Sequence, residues 1–142
     1  MRLCRKWAKA LLLVSCAAAA SDGPPHPDVR PVLSEALPKL DAGRLQVSLV
    51  EVAYRPGGYS ASHRHPCPVV AYVVQGAIRS QLQGQAERTY RAGEAFYEAP
   101  NGNHLVSANA SEGEPAKLLA FFVCDGARPL SVADGAQEGK TP

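Results

Sequence analysis

The chain has 142 residues, 46% of them apolar and 20% charged, with a formal net charge of +2. That length suits one domain with one sizeable core, and the composition excludes both a disordered tail and a membrane bundle. Gly and Pro supply 12 residues each, heavy punctuation that suits short strands joined by tight turns.

In chain order, residues 1–20 stand apart. Arg2, Arg5, Lys6 and Lys9 form a basic start, Ala10 to Val14 is apolar, and Ala17 to Ala20 is all alanine. This is the order of a secretory signal peptide, and its apolar run is far short of the roughly 20 residues a membrane-spanning helix needs. Two processing sites compete. Ala18-Ala19-Ala20 before Ser21 fits ordinary signal peptidase, whereas Leu13-Val14-Ser15-Cys16 resembles a bacterial lipobox at residues 13–16 that would lipidate Cys16. The lipobox is favoured, because Cys is uncommon in a signal peptide. The chain is therefore expected outside the cytoplasm: a periplasmic or outer-membrane-anchored lipoprotein, or alternatively a secreted protein. Membrane contact is expected only through Cys16.

Removing the segment takes Lys plus Arg from 15 to 11 against 13 Asp plus Glu, so the net charge moves from +2 to −2. The basic balance belongs to the precursor and gives no case for nucleic acid. Of four cysteines, Cys4 and Cys16 lie in the leader, leaving Cys67 and Cys124. These two could pair in an oxidising compartment, but the sequence does not give their separation.

Residues 21–44 read as a linker and N-terminal segment. It is Pro-rich to Pro31, carries a solvated His26, and shows some helical character around Leu33–Leu37 that Pro38 stops. From Leu45 the pattern alternates with period two. Strands are expected at 45–54, 62–65, 69–74, 78–82, 88–91, 95–99, 104–107 and 117–123, with turns at Pro56-Gly57-Gly58, Gln83-Gly84-Gln85, Ala92-Gly93 and residues 100–103. Some eight short strands at this spacing predict an all-β sandwich or barrel. Residues 118–123, LLAFFV, are apolar without alternation, so this strand is expected to be covered on both faces. Its outer face would need the N-terminal segment or a second copy, hence an expected homodimer. Residues 125–142 turn polar and Gly-rich, a loose C-terminal tail.

Three of the four histidines fall in two clusters. His63 and His65 stand at i, i+2 and share one face of a strand; His104 follows a turn and opens another. Imidazoles from neighbouring strands can meet at one metal, although two interior histidines could equally be hydrogen-bonded core residues. The flanking glycines point further. Gly57, His63, Arg64, His65 and Gly76 resemble the first cupin motif, G-x5-H-x-H-x3-E-x6-G, and Gly93 to His104 resembles the second, G-x5-P-x-G-x2-H. His63-Arg64-His65-Pro66, Phe96-Tyr97-Glu98 and Asn109-Ala110-Ser111 look like small exported members of that superfamily.

The resemblance implies a cupin-type double-stranded β-helix, a jelly-roll barrel, over residues 45–124. It also implies one divalent transition metal (Fe, Mn, Ni, Cu or Zn) on His63, His65 and His104. Three departures stand out. Val69 occupies the place of the motif's Glu, Ala99 that of its Pro, and Asn101 that of its Gly, a tolerable exchange because Asn also visits positive φ. Gln81 and Glu98 are the nearest candidates for a replacement fourth ligand, and Cys67 could border the site. Without a carboxylate, three neutral imidazoles would leave the metal at its full charge with open positions. Tyr72, Phe96, Tyr97, Phe121 and Phe122 supply aromatic surface, most of it core. The implied function is metal-dependent chemistry on a small organic molecule, with a dioxygenase-like reaction as one form. The alternative is a cupin that binds a small ligand or metal without catalysis; a structural protein would leave the histidines without metal.

Overall fold

Alternation decides the architecture. Val50, Val52 and Tyr54 turn inward from the first long strand while Val47, Leu49 and Glu51 turn outward, so one face of the sheet must meet another layer. The computed structural model describes residues 29–126 and 128–134. The expected signal peptide, Cys16 and His26 lie outside them. The chain divides at Arg30–Pro31 into two units, and the second holds the barrel.

Among the described residues ten strands follow in order: β1 (Leu45–Tyr54), β2 (Tyr59–Ser60), β3 (His63–Arg64), β4 (Val69–Gln75), β5 (Ala77–Leu82), β6 (Arg88–Arg91), β7 (Ala95–Glu98), β8 (Asn103–Asn109), β9 (Ala116–Asp125) and β10 (Val132–Ala133). They form two antiparallel sheets, β1-β9-β4-β7 and β10-β3-β8-β5-β6, with β2 also on β8. Apart from a 3-10 turn at Ala42–Arg44, the described residues contain no helix. This is the expected all-β, double-sheet fold. Val69, Ala71, Val73, Ile78, Phe96, Leu118, Ala120 and Phe122 fill the space between the sheets.

The turns use the residues that motif spacing singled out. Gly76 has φ +67°, and a Cβ there would stand 2.7 Å from the Pro115 carbonyl oxygen. Only glycine fits. Asn101, in the place of the motif's second glycine, has φ 60°, and its amide donates to the His65 carbonyl at 2.7 Å. That bond ties the turn before β8 to the histidine pair.

Several expectations are corrected. Residues 33–37 form no helix: Pro31 and Pro38 bracket a segment too short to nucleate one. Val32, Leu33 and Leu37 instead border a groove on the outer face of the first sheet, with Val70, Tyr72, Leu119 and Phe121. Within one copy β9 is buried on one face and partly covered on the other, the face for which the N-terminal segment or a second copy is expected. Its even-numbered residues are buried, whereas Phe121 stays 39% exposed. The segment after Asp125 is not loose throughout. β10 pairs with β3, Leu130 packs against the core, and Ser62 hydrogen-bonds the Asp134 carboxylate. An apolar anchor and the free edge of β3 hold this strap in place.

Cys67 and Cys124 form a disulfide, both buried, with Cα atoms 5.1 Å apart. It joins the chain just beyond His65 to the end of β9, across a sequence separation of 57 residues. Closing a loop of that length restricts the unfolded chain and is worth about 2–4 kcal/mol. The variant C67A/C124A is expected to lose stability in that range by urea unfolding. An unchanged midpoint and slope would contradict it.

Candidate metal centre

The interior polar residues come from both sheets. β3 and β8 are antiparallel with His63 opposite His104 in register. His65 follows β3 directly and points the same way as His63; their Nε2 atoms lie 3.2 Å apart. On the other sheet Phe96 and Glu98 alternate inward from β7, and Glu98 is the register partner of Val69. The Glu98 Oε2 atom stands 2.9 Å from His104 Nδ1 and 3.5 Å from His65 Nε2. The ligand atoms of His63, His65 and His104 all fall within 4.8 Å of one another.

The outer hydrogen bonds assign the protons. His63 Nδ1 faces the Ala61 carbonyl at 2.7 Å, and His65 Nδ1 faces the Leu130 carbonyl at 2.6 Å. A carbonyl can only accept, so each Nδ1 carries the hydrogen. Both Nε2 atoms of the neutral rings then present lone pairs to each other. A hydrogen bond between them would need one imidazolium. Burial pushes the His65 pKa down, with Glu98 opposing it, and so favours the neutral ring.

On the third imidazole, His104 Nε2 bonds Ser80 Oγ at 2.9 Å. Its Nδ1 and the nearby Glu98 Oε2 are both buried and neither finds a hydrogen-bond partner, although they are only 2.9 Å apart. Buried polar atoms without partners are costly and rare. Two inward nitrogens without hydrogens, the unpartnered His104 Nδ1 and a carboxylate oxygen make up a donor set that a divalent cation would satisfy. The residues fit a metal.

The centre opens on a cavity of about 430 Å³. Its walls are mostly apolar, with Val50, Val52, Leu118, Ala120, Phe122 and Leu130. Away from the imidazoles, Tyr54 Oη bonds Ser60 Oγ at 2.8 Å and Ser107 Oγ at 2.9 Å. The structure thus brings His63, His65, His104 and Glu98 together. Gln81 is excluded: it turns to the opposite face of β5 from Ser80, and its side chain donates to the Gln85 carbonyl in the hairpin. Cys67 is committed to the disulfide. Tyr72, Tyr97 and Phe121 face outward, while Phe96 and Phe122 pack beside His104 and His65. Sequence reasoning missed Ser80 and Leu130. Ser80 carried a signal, a hydroxyl between the inward apolar residues Ile78 and Leu82. The Leu130 carbonyl carried none.

The cupin domain family profile matches residues 50–122, just over half of the chain. The chain belongs to the cupin domain family. No curated protein sequence is similar enough to count as a relative of this cupin. Among solved structures it is similar to an oxalate oxidase in complex with the substrate analogue glycolate, at 25% identity and TM-score 0.54 over 62% of this chain and 46% of that one. A DMSP lyase from Ruegeria pomeroyi is similar at 17% identity and TM-score 0.55, over 62% of this cupin and 43% of the lyase. A conserved protein with a double-stranded β-helix domain from Klebsiella pneumoniae matches at 20% identity and TM-score 0.50, over 64% and 85%. This cupin therefore spans less than half the length of the oxidase and the lyase; these likenesses establish the double-stranded β-helix.

Proposed function

We propose that this cupin binds one divalent transition metal through His63, His65 and His104 and acts outside the cytoplasm on a small organic molecule. The observation that carries the reading is the facing pair of His63 and His65 Nε2 atoms, 3.2 Å apart with both partner nitrogens committed to carbonyls. A bound ion would supply Lewis acidity and open coordination positions. The chain's own part is to orient and exclude. The Ala61 and Leu130 carbonyls hold two imidazoles in one tautomer. The apolar walls exclude water, and Tyr54, Ser60 and Ser107 offer hydroxyls to a polar end of the substrate.

Among the described residues, the lining has no Lys or Arg. Oxalate, named in the similar oxidase, carries two carboxylates that this wall would leave without cationic partners. The cavity suits better a compact molecule with an apolar body, one metal-binding oxygen and one group that can hydrogen-bond hydroxyls. A dioxygenase-like reaction is the chemistry to test first.

Metal content and affinity on H63A, H65A and H104A should each fall by tenfold or more, while H26A should match the unaltered chain. An iron-loaded sample should consume oxygen when given a substrate of the class above. Metal retained at full occupancy without His104 would contradict the site. Ligand held tightly with no turnover would assign the cupin to binding rather than catalysis.

We further propose export and pairing of two copies. A disulfide in the barrel supports an oxidising compartment. Val47, Leu49 and Phe121 on the outer face of the first sheet, 66%, 56% and 39% exposed, support self-association. Intact mass and sedimentation of exported protein read both: a chain beginning at Cys16 or Ser21 without Trp7, sedimenting as a dimer. Residues 1–15 retained, or a monomer at micromolar concentration, would count against the respective proposal.

A further inference from the structure

The three-histidine reading leaves one buried charged group unexplained. Glu98 is 4% exposed, and its Oε2 atom lies 2.9 Å from His104 Nδ1 and 3.5 Å from His65 Nε2. A carboxylate taken out of water costs several kcal/mol unless a cation meets it. Neither His104 nor any other described group gives its Oε2 atom a hydrogen bond.

We propose that Glu98 is the fourth ligand of the metal and replaces, from the neighbouring strand, the carboxylate that position 69 lacks; this rests on the three-histidine reading. The register explains why the exchange works. Val69 on β4 and Glu98 on β7 are direct antiparallel partners, so both side chains leave the sheet on the same face. Both are buried there. A longer acid on the adjacent strand can reach the point that a Glu at 69 would approach from β4.

The spacings agree with shared coordination. Donors about 2.0–2.2 Å from one ion stand about 2.8–3.1 Å apart at right angles, and about 3.3–3.6 Å apart at the tetrahedral angle. The observed separations are 2.9 Å for Glu98 Oε2 to His104 Nδ1, 3.5 Å for Glu98 Oε2 to His65 Nε2, and 3.2 Å between the His63 and His65 Nε2 atoms. A carboxylate among the donors lowers the net charge of a divalent centre to +1. It also shifts preference toward harder ions such as Mn²⁺.

The test is a Mn²⁺ titration of the full chain, reading free Mn²⁺ by electron paramagnetic resonance. E98Q should bind Mn²⁺ at least tenfold more weakly. The transposed variant V69E/E98V, with the carboxylate moved to the paired position, should return to within about threefold of the unaltered chain. Undiminished binding in E98Q, with binding lost in H104A, would overturn the fourth ligand and leave the three-histidine site standing. Undiminished binding in H104A as well would overturn that site itself. Should E98Q fail to fold, a folded V69E/E98V that does not bind Mn²⁺ would overturn the exchange of positions.

Discussion

Acceptors outnumber protons at the centre of this barrel. Two imidazoles spend their hydrogens on the Ala61 and Leu130 carbonyls, and a buried carboxylate faces a third ring across 2.9 Å without a hydrogen bond. Left that way, lone pairs would repel lone pairs in a low-dielectric interior, where such repulsion is poorly screened. A cation at the centre turns each of those costs into a favourable contact. That conversion is the physical argument for the proposed metal site.

The rest of the structure serves to hold those groups at close range. The imidazoles come from the second sheet and Glu98 from the first, so the two layers must be pinned against each other. The Cys67–Cys124 disulfide does this two residues beyond His65. The Asn101 amide fixes the His65 carbonyl. The strap from Leu130 to Asp134 adds β10 to the edge of β3 and delivers a carbonyl to His65. Around them the walls are aliphatic and aromatic, which keeps the dielectric low and leaves room for a small ligand.

Much of this was legible in the sequence because it is local. His63 and His65 at i, i+2 had to share a face, and Gly57, Gly76 and Gly93 marked turns that all adopt positive φ. What was not legible depends on pairing between distant strands. That Glu98 lies opposite Val69, while Gln81 turns away into its own hairpin, follows from register, which no spacing along the chain reports. The strap was misread for a similar reason. Residues 128–134 look polar and loose alone, and only the open edge of β3 with a place for Leu130 orders them. The helical hint at 33–37 failed because five apolar-leaning residues between prolines gain more from lying on a sheet than from one turn of helix.

The proposed centre is one ion among His63, His65, His104 and Glu98. Anomalous diffraction from a Mn²⁺-loaded crystal tests it most directly. A single strong anomalous peak is expected inside the barrel, within about 2.0–2.3 Å of a nitrogen from each imidazole and of a Glu98 oxygen. A peak elsewhere on the chain, with the barrel interior empty or holding only water, would contradict it.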